Sequence, residues 1–240
     1  MEDYQALILD ADEKIACNPR YAGAYRQRAY LKMEHCDYDG AIEDFTVAIS
    51  MKKKHAITWF YRGLCFYYLE NNLCALNDYT NALKYKPRMS DAWCEIGRVM
   101  FMMDDHPRAE EHCTKALSIN PRNCNALTLR GNVRLLLKQP DKALKDLNRA
   151  FKIKPFDSMI RIYRAMAYQT LGRNAEALED YGISIALAPD ATAYYNRCLI
   201  FIDQDQYKEA LADARKALEL APDWDFCQEI IDEIADEMGW

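Results

Sequence analysis

Proline returns along this chain at a fixed interval. Pro87, Pro121, Pro155 and Pro189 stand 34 residues apart, and Pro222 follows after 33. Counting back from Pro87 by the same step reaches Lys53, a lapse, and then Pro19. A unit of this length, copied along nearly the whole chain, cannot bury its apolar face alone. Neighbouring copies must stack to do so, which predicts an array of repeats rather than a globular enzyme domain.

Alignment on the prolines gives six units, 22–55, 56–89, 90–123, 124–157, 158–190 and 191–224, the fifth one residue short. Each reads as two helices. The first opens on a large or long residue (Tyr25, Trp59, Trp93, Leu127, Arg161, Tyr194) and carries a small one four positions on (Ala29, Gly63, Gly97, Gly131, Ala165, Cys198). The second opens on Ala41, Ala75, Ala109, Ala143, Ala177 or Ala210, with another small side chain seven residues later. Helices approach closely only where facing side chains are small, and the residues Phe45, Tyr79, Cys113, Leu147, Tyr181 and Ala214 are expected to fill the space beside those slots. Asp37, Asn71, Asp105, Pro107, Pro140 and Asn174 punctuate the turns inside the units.

These residues resemble the tetratricopeptide repeat (TPR), most fully in the second unit, with Trp59, Gly63, Ala75, Tyr79, Ala82 and Pro87. The resemblance spans about residues 4–222 and implies an all-α fold, a right-handed superhelical solenoid of antiparallel helix pairs. The departures are Lys53 for proline, Arg161 for the aromatic, Cys198 for glycine or alanine, and the short fifth unit. The expected organisation is a lone capping half-repeat helix in 1–21, six tandem TPR units in 22–222, and an acidic capping helix in 223–240. Phe226, Ile230, Ile231 and Ile234 are expected to form the buried stripe of that last helix.

Composition narrows the function. The net charge is −6, and the segment from Asp223 to Glu237 holds seven carboxylates and no Lys or Arg, so no nucleic-acid partner is expected. No apolar run is long enough for a membrane span, and the start shows no basic segment leading into an apolar one. The nine cysteines form no CxxC pair, which suits reduced thiols in a cytoplasmic protein. Four scattered histidines give no zinc-like ligand set, although His35 and His112 each precede a cysteine, and no nucleotide-binding or nucleophile-elbow motif occurs. No cofactor, metal or catalytic residue is expected, and the chain reads as non-enzymatic. Lys52, Lys53 and Lys54 with His55 replace one boundary turn and read as a solvated loop rather than an anion site.

One pair of positions varies together within the chain. Arg28, Arg62, Arg130, Arg164 and Arg197 share a slot on the first helices, and Asp44, Asp78, Asp146, Asp180 and Asp213 share one on the second. In the third unit both change, to Ile96 and His112. An Arg–Asp ion pair is predicted inside each of five units, as scaffold rather than as a charged binding row.

The resemblance also implies that first helices line a concave groove. Three rows can be placed on it: Arg26, Phe60, Cys94, Thr128, Ile162 and Tyr195; then Tyr30, Leu64, Arg98, Asn132, Met166 and Leu199; then Met33, Tyr67, Phe101, Leu135, Gln169 and Ile202. Cys94 would be an accessible thiol there. The aromatic side chains in the first half either pack against adjacent helices or form an apolar floor for a partner peptide. The candidate groove residues are Tyr30, Phe60, Leu64, Tyr67, Arg98, Phe101 and Asn132. A family branch that clamps acidic chaperone tails needs cations on these helices. Thr128, Asn132, Tyr163, Thr192 and Asn196 supply none, and Asp91 and Glu95 stand where cations would be needed. The expected function is a scaffold that binds a protein or peptide partner in the groove. The alternatives are a structural subunit assembling through its convex face or terminal helices, and a regulator of a bound enzyme. The oligomeric state stays open at this point.

Overall fold

The computed structural model describes residues 2–237, and among them are fourteen α-helices and no strand. A lone helix, α1 (Glu2–Cys17), precedes six hairpins. These are α2 (Ala22–Glu34) with α3 (Tyr38–Met51), α4 (Ala56–Tyr68) with α5 (Asn72–Tyr85), α6 (Ser90–Met102) with α7 (His106–Ile119), α8 (Cys124–Leu136) with α9 (Pro140–Ile153), α10 (Ser158–Thr170) with α11 (Asn174–Leu187), and α12 (Ala191–Asp203) with α13 (Tyr207–Leu220). The last helix is α14 (Asp225–Glu237). They form two compact units, Met1–Asn123 and Cys124–Trp240. In the first, each helix from α1 to α7 packs on the next; in the second, the same holds from α8 to α14.

Each of the twelve hairpin helices, α2 to α13, begins three residues ahead of the large residue or alanine that its sequence pattern marks as the opening. The turn chemistry sets the true start. Asp37, Asn71 and Asp105 accept from the backbone N–H of Gly40, Cys74 and Arg108, three residues on, and so satisfy an otherwise orphaned first-turn donor. Pro107 and Pro140 occupy the first turn itself, where a missing N–H costs nothing. Asn174 is not a cap; it is the first helical residue of α11. The boundary prolines fall two residues past the ends of α1, α5, α7, α9, α11 and α13. The missing residue of the fifth unit is absorbed in the connection 188–190, where Asp190 caps α12 by accepting from the N–H groups of Thr192 and Ala193.

The turns inside the hairpins carry a signature that composition does not reveal. Cys36, Glu70, Asp104, Lys138, Gly172 and Asp205 all have φ between 56° and 71°. In each, the following N–H returns to a carbonyl five residues back, as in Asp37 to Lys32, Asn71 to Phe66 and Gln139 to Arg134. This is the Schellman closure, which prefers glycine because a Cβ is strained there. Only Gly172 follows that preference. Lys138→Gly is therefore expected to stabilise the chain by about 1 kcal/mol, read as a higher urea midpoint with unchanged slope.

The core is built by complementary sizes. A Cβ on Gly63 would lie 2.8 Å from the Tyr79 ring, and one on Gly131 would lie 2.6 Å from Leu147. Tyr79 and Leu147 are fully buried, as are Phe45 beside Ala29 and Tyr181 beside Ala165. In the last hairpin the sizes are reversed: Cys198 stands at the small slot and Ala214 at the large one, with Leu211 and Ile234 completing that cluster. Two equivalent tyrosines differ in polar satisfaction. Tyr181 Oη donates to Gln169 Oε1 at 3.1 Å, whereas the buried Tyr79 Oη has no hydrogen-bond partner. An unsatisfied buried hydroxyl costs about 1–3 kcal/mol and a typical bond contributes about 1 kcal/mol. Tyr79→Phe should therefore raise stability, and Tyr181→Phe should lower it by about 1 kcal/mol, both measured by chemical unfolding.

The predicted ion pairs are present in all five hairpins. The Nε and Nη2 atoms of Arg28, Arg62, Arg130, Arg164 and Arg197 donate to both carboxylate oxygens of the paired Asp at 2.5–2.8 Å. Three of these arginines make a further bond outside their own hairpin. Nη1 of Arg28, Arg62 and Arg164 reaches back to Asp12, Thr46 and Asn148 on the preceding helix. Each of these three guanidiniums thereby ties three helices together. Burial pushes the Asp78 carboxyl up in spite of Arg62, so ionising it costs more in the folded chain than in water. That balance fits a device for fixing geometry better than a source of net stability.

Arg161 is less of a departure than its chemistry suggests. Trp59 and Trp93 donate their indole N–H to the carbonyls of Lys53 and Pro87, and Arg161 Nε makes the equivalent bond to Pro155. The slot selects a long side chain with an N–H at the right reach. Lys52, Lys53 and Lys54 are exposed, as a solvated loop requires.

α14 packs on α13 through the buried Ile234, with Ile230 and Ile231 at the margin, and its Cys227 is buried as well. Phe226, placed in the buried stripe by sequence, is instead 41% exposed and lies against Tyr195 and Trp224. The part of the expected capping helix beyond Glu237 lies outside the described residues.

Candidate functional site

Six of the seven candidate groove residues lie on α2, α4 and α6 of the first unit; Asn132 lies on α8 of the second and is half-buried. Burial separates the three rows expected on the first helices. In the row beginning at Arg26, Cys94 and Ile162 are fully buried and Phe60 is 8% exposed. All members of the other two rows are half-buried, with part of each side chain facing outward.

Phe60 therefore departs from the expectation. Its ring packs on Tyr61 and Tyr79, and only its edge reaches a hollow of about 410 Å³ shared with Ile57, Arg88 and Asp91. Cys94 departs further. It has no exposed surface, and burial pushes its thiol well above the usual range, so it is a packing residue and not an accessible nucleophile.

Tyr30 packs edge-on against Phe45 and Tyr61, with ring centroids 5.3 and 4.8 Å away. Burial pushes its phenol up, as it does that of Tyr67. Tyr67 borders a second hollow of about 410 Å³ with Tyr68, Glu70, Asn72 and Met102. Phe101 packs on His106 at 5.6 Å, and Leu64 is half-buried on α4. The rings of Tyr30, Phe60 and Phe101 thus pack against neighbouring helices, while Tyr67 and the edge of Phe60 border open space.

Arg98, one of the candidate groove residues, is already paired. Its Nε donates to Glu95 Oε2 at 2.9 Å, and Glu95 is 8% exposed. The site thus carries a hydrogen-bonded, internally neutralised pair, visible in the sequence as an i, i+3 spacing that pattern reading passed over. At the positions compared with the chaperone-tail clamp, Thr128 Oγ1 donates to the Cys124 carbonyl and Asn196 Nδ2 to the Thr192 carbonyl. Those polar groups are turned onto their own helices. Among the described residues no cluster of three or more His, Cys, Asp or Glu could hold a metal ion, and no helix is long and apolar enough to cross a membrane.

The hairpin geometry agrees with comparison to known proteins. Residues 112–145 and 191–223 each match a tetratricopeptide repeat model. The chain carries tetratricopeptide repeats and is folded as an all-α solenoid of the tetratricopeptide-repeat type. No curated protein matches it. Among solved structures it is similar to the APC/C hetero-tetramer Cut9–Hcn1, with TM-score 0.86 and 14% identity over 96% of this chain. It spans 46% of that chain, less than half its length. YrrB, described as a TPR protein with an unusual peptide-binding site, aligns with TM-score 0.62 and 26% identity over 77% of this chain and 96% of its own. PilF of Pseudomonas aeruginosa aligns with TM-score 0.77 and 15% identity over 88% of this chain and 97% of its own.

Proposed function

We propose that this chain is a non-catalytic, cytoplasmic scaffold that holds a segment of a partner protein against its first helices. The supporting observation is the half-buried apolar series Tyr30, Leu64, Tyr67 and Phe101, set beside the neutralised Arg98–Glu95 pair. An apolar floor with few charges can desolvate without leaving an unpaired ion, which is what the centre of an interface needs. The edge of Phe60 contributes apolar contact to that floor. The peptide-binding description of YrrB supports the class of partner. Tyr67→Ala combined with Phe101→Ala should weaken partner capture by tenfold or more while the far-ultraviolet helical signal persists. Unchanged capture by that variant would remove the groove from the proposal.

A second reading is favoured by one observation, the exposed Phe226 with Trp224 and Tyr195 at an acidic end. It makes the chain an assembly subunit. Self-association in light scattering, lost on deleting 223–240, would support it over the groove.

A further inference from the structure

The third hairpin lacks the Arg–Asp pair, and the structure gives that loss a consequence. In the second hairpin Arg62 lies over the Trp59 ring at 4.9 Å and near Phe66 at 5.7 Å, with Asp78 and Thr46 taking its N–H groups. One period on, the guanidinium position is Ile96, and its cradle becomes Trp93, Met100, His112 and Thr80. Those five residues line one hollow of about 670 Å³ between α5, α6 and α7, within the first unit. It is the guanidinium cradle with the guanidinium removed. Its volume falls in the range of about 300–1,000 Å³ typical of binding pockets.

The floor is apolar, since Ile96 and Met100 are 4% and 8% exposed. Trp93 forms one wall and stacks on His112 at 5.6 Å. Burial lowers the His112 pKa, with Arg108 acting the same way and Glu111 and Asp105 opposing. Charge on the rim decides what fits. Lys84 and Arg108 border the hollow with Glu111, and Lys115 borders an adjoining one of about 450 Å³ that shares Trp93, Glu111 and His112. Arg108 is paired with Asp105 at 3.3 Å, so three cations stand with two carboxylates, Glu111 and Asp105, and the rim keeps a positive excess. A cation inserted from a partner would meet that excess without the aspartate that holds Arg62.

We propose that this hollow binds an acidic segment of a partner protein, with an aromatic or aliphatic side chain seated on Ile96, Met100 and Trp93 and flanking carboxylates on Lys84, Arg108 and Lys115. The site is separate from the candidate groove and does not depend on it. The probe is a fluorescently labelled, end-blocked heptapeptide with one tryptophan between three acidic residues on each side, titrated by anisotropy against the full chain. Controls carry glycine for the tryptophan, or lysine for the acids.

Ile96→Arg with His112→Asp restores the pair found in the other five hairpins and refills the cradle. It should weaken the acidic probe at least tenfold, as should Lys84→Glu with Arg108→Glu, and added salt should weaken it too. Tyr67→Ala with Phe101→Ala should leave it unchanged. Equal binding of the glycine control would reduce the effect to surface charge and overturn the proposal. So would equal binding of the lysine control, or undiminished binding to the refilled variant. Self-association lost in the refilled variant, with no probe binding, would overturn it in favour of a second copy of this chain as the occupant.

Discussion

Asp180→Ala is expected to cost about 3–5 kcal/mol and to loosen the α10–α11 hairpin ahead of its neighbours. Asp180 is 2% exposed and accepts from Arg164 Nε and Nη2 at 2.6 and 2.7 Å and from Arg161 Nη1 at 2.9 Å. Removing it strands two guanidiniums that burial has largely taken from water. Their remaining contacts do not replace a carboxylate: Arg161 keeps the Pro155 carbonyl, and Arg164 keeps Asn148 at 3.4 Å and the face of Phe151. Stability in a repeat array is a sum of unit and neighbour contributions, so urea unfolding should be read with hydrogen exchange on α10 and α11 to place the loss. The companion experiment separates geometry from net energy. Arg62→Met with Asp78→Leu removes both charges and should be close to neutral, whereas Asp78→Ala alone should destabilise strongly. A change below about 1 kcal/mol for Asp180→Ala would class these pairs with exposed salt bridges.

Phe45→Ala should cost a similar amount, about 3–5 kcal/mol. Phe45 has no exposed surface and fills the space left by Ala29, Ala41 and Cys65. Helix backbones already in close contact cannot collapse much further, so truncation leaves a cavity rather than a repacked core. The ring also holds Tyr30 edge-on at 5.3 Å. The variant should thus lose stability and loosen a candidate groove residue together, whereas Phe45→Leu should recover most of the loss. A midpoint for Phe45→Ala within error of the parent chain would refute the size-matching account of the core.

Much of the scaffold is legible because a repeat chain can be compared with itself. The small slots at Gly63 and Gly131, the bulky partners Tyr79 and Leu147, and the five Arg–Asp pairs all recur at one spacing, and all lie within a single hairpin. Local spacing is enough to state such contacts. The exact helix starts were less legible, because Asp37, Asn71 and Asp105 fix them by hydrogen bonds from outside the apolar pattern. Left-handed turns occupied by Cys36, Glu70 and Lys138 carry no compositional mark, since the surrounding closure holds those residues in a conformation they do not prefer.

The sequence by itself determined the hairpin, its count in the chain, the size matching of its core and the identity of its ion pairs. Tertiary structure decided which side of each first helix is accessible. It placed Phe60 and Cys94 inside and left Tyr67 at the edge of open space, because that outcome depends on how adjacent hairpins rotate against each other. It also turned a paired substitution, Ile96 with His112, into a hollow, because three helices must converge before the absence of one guanidinium becomes a volume.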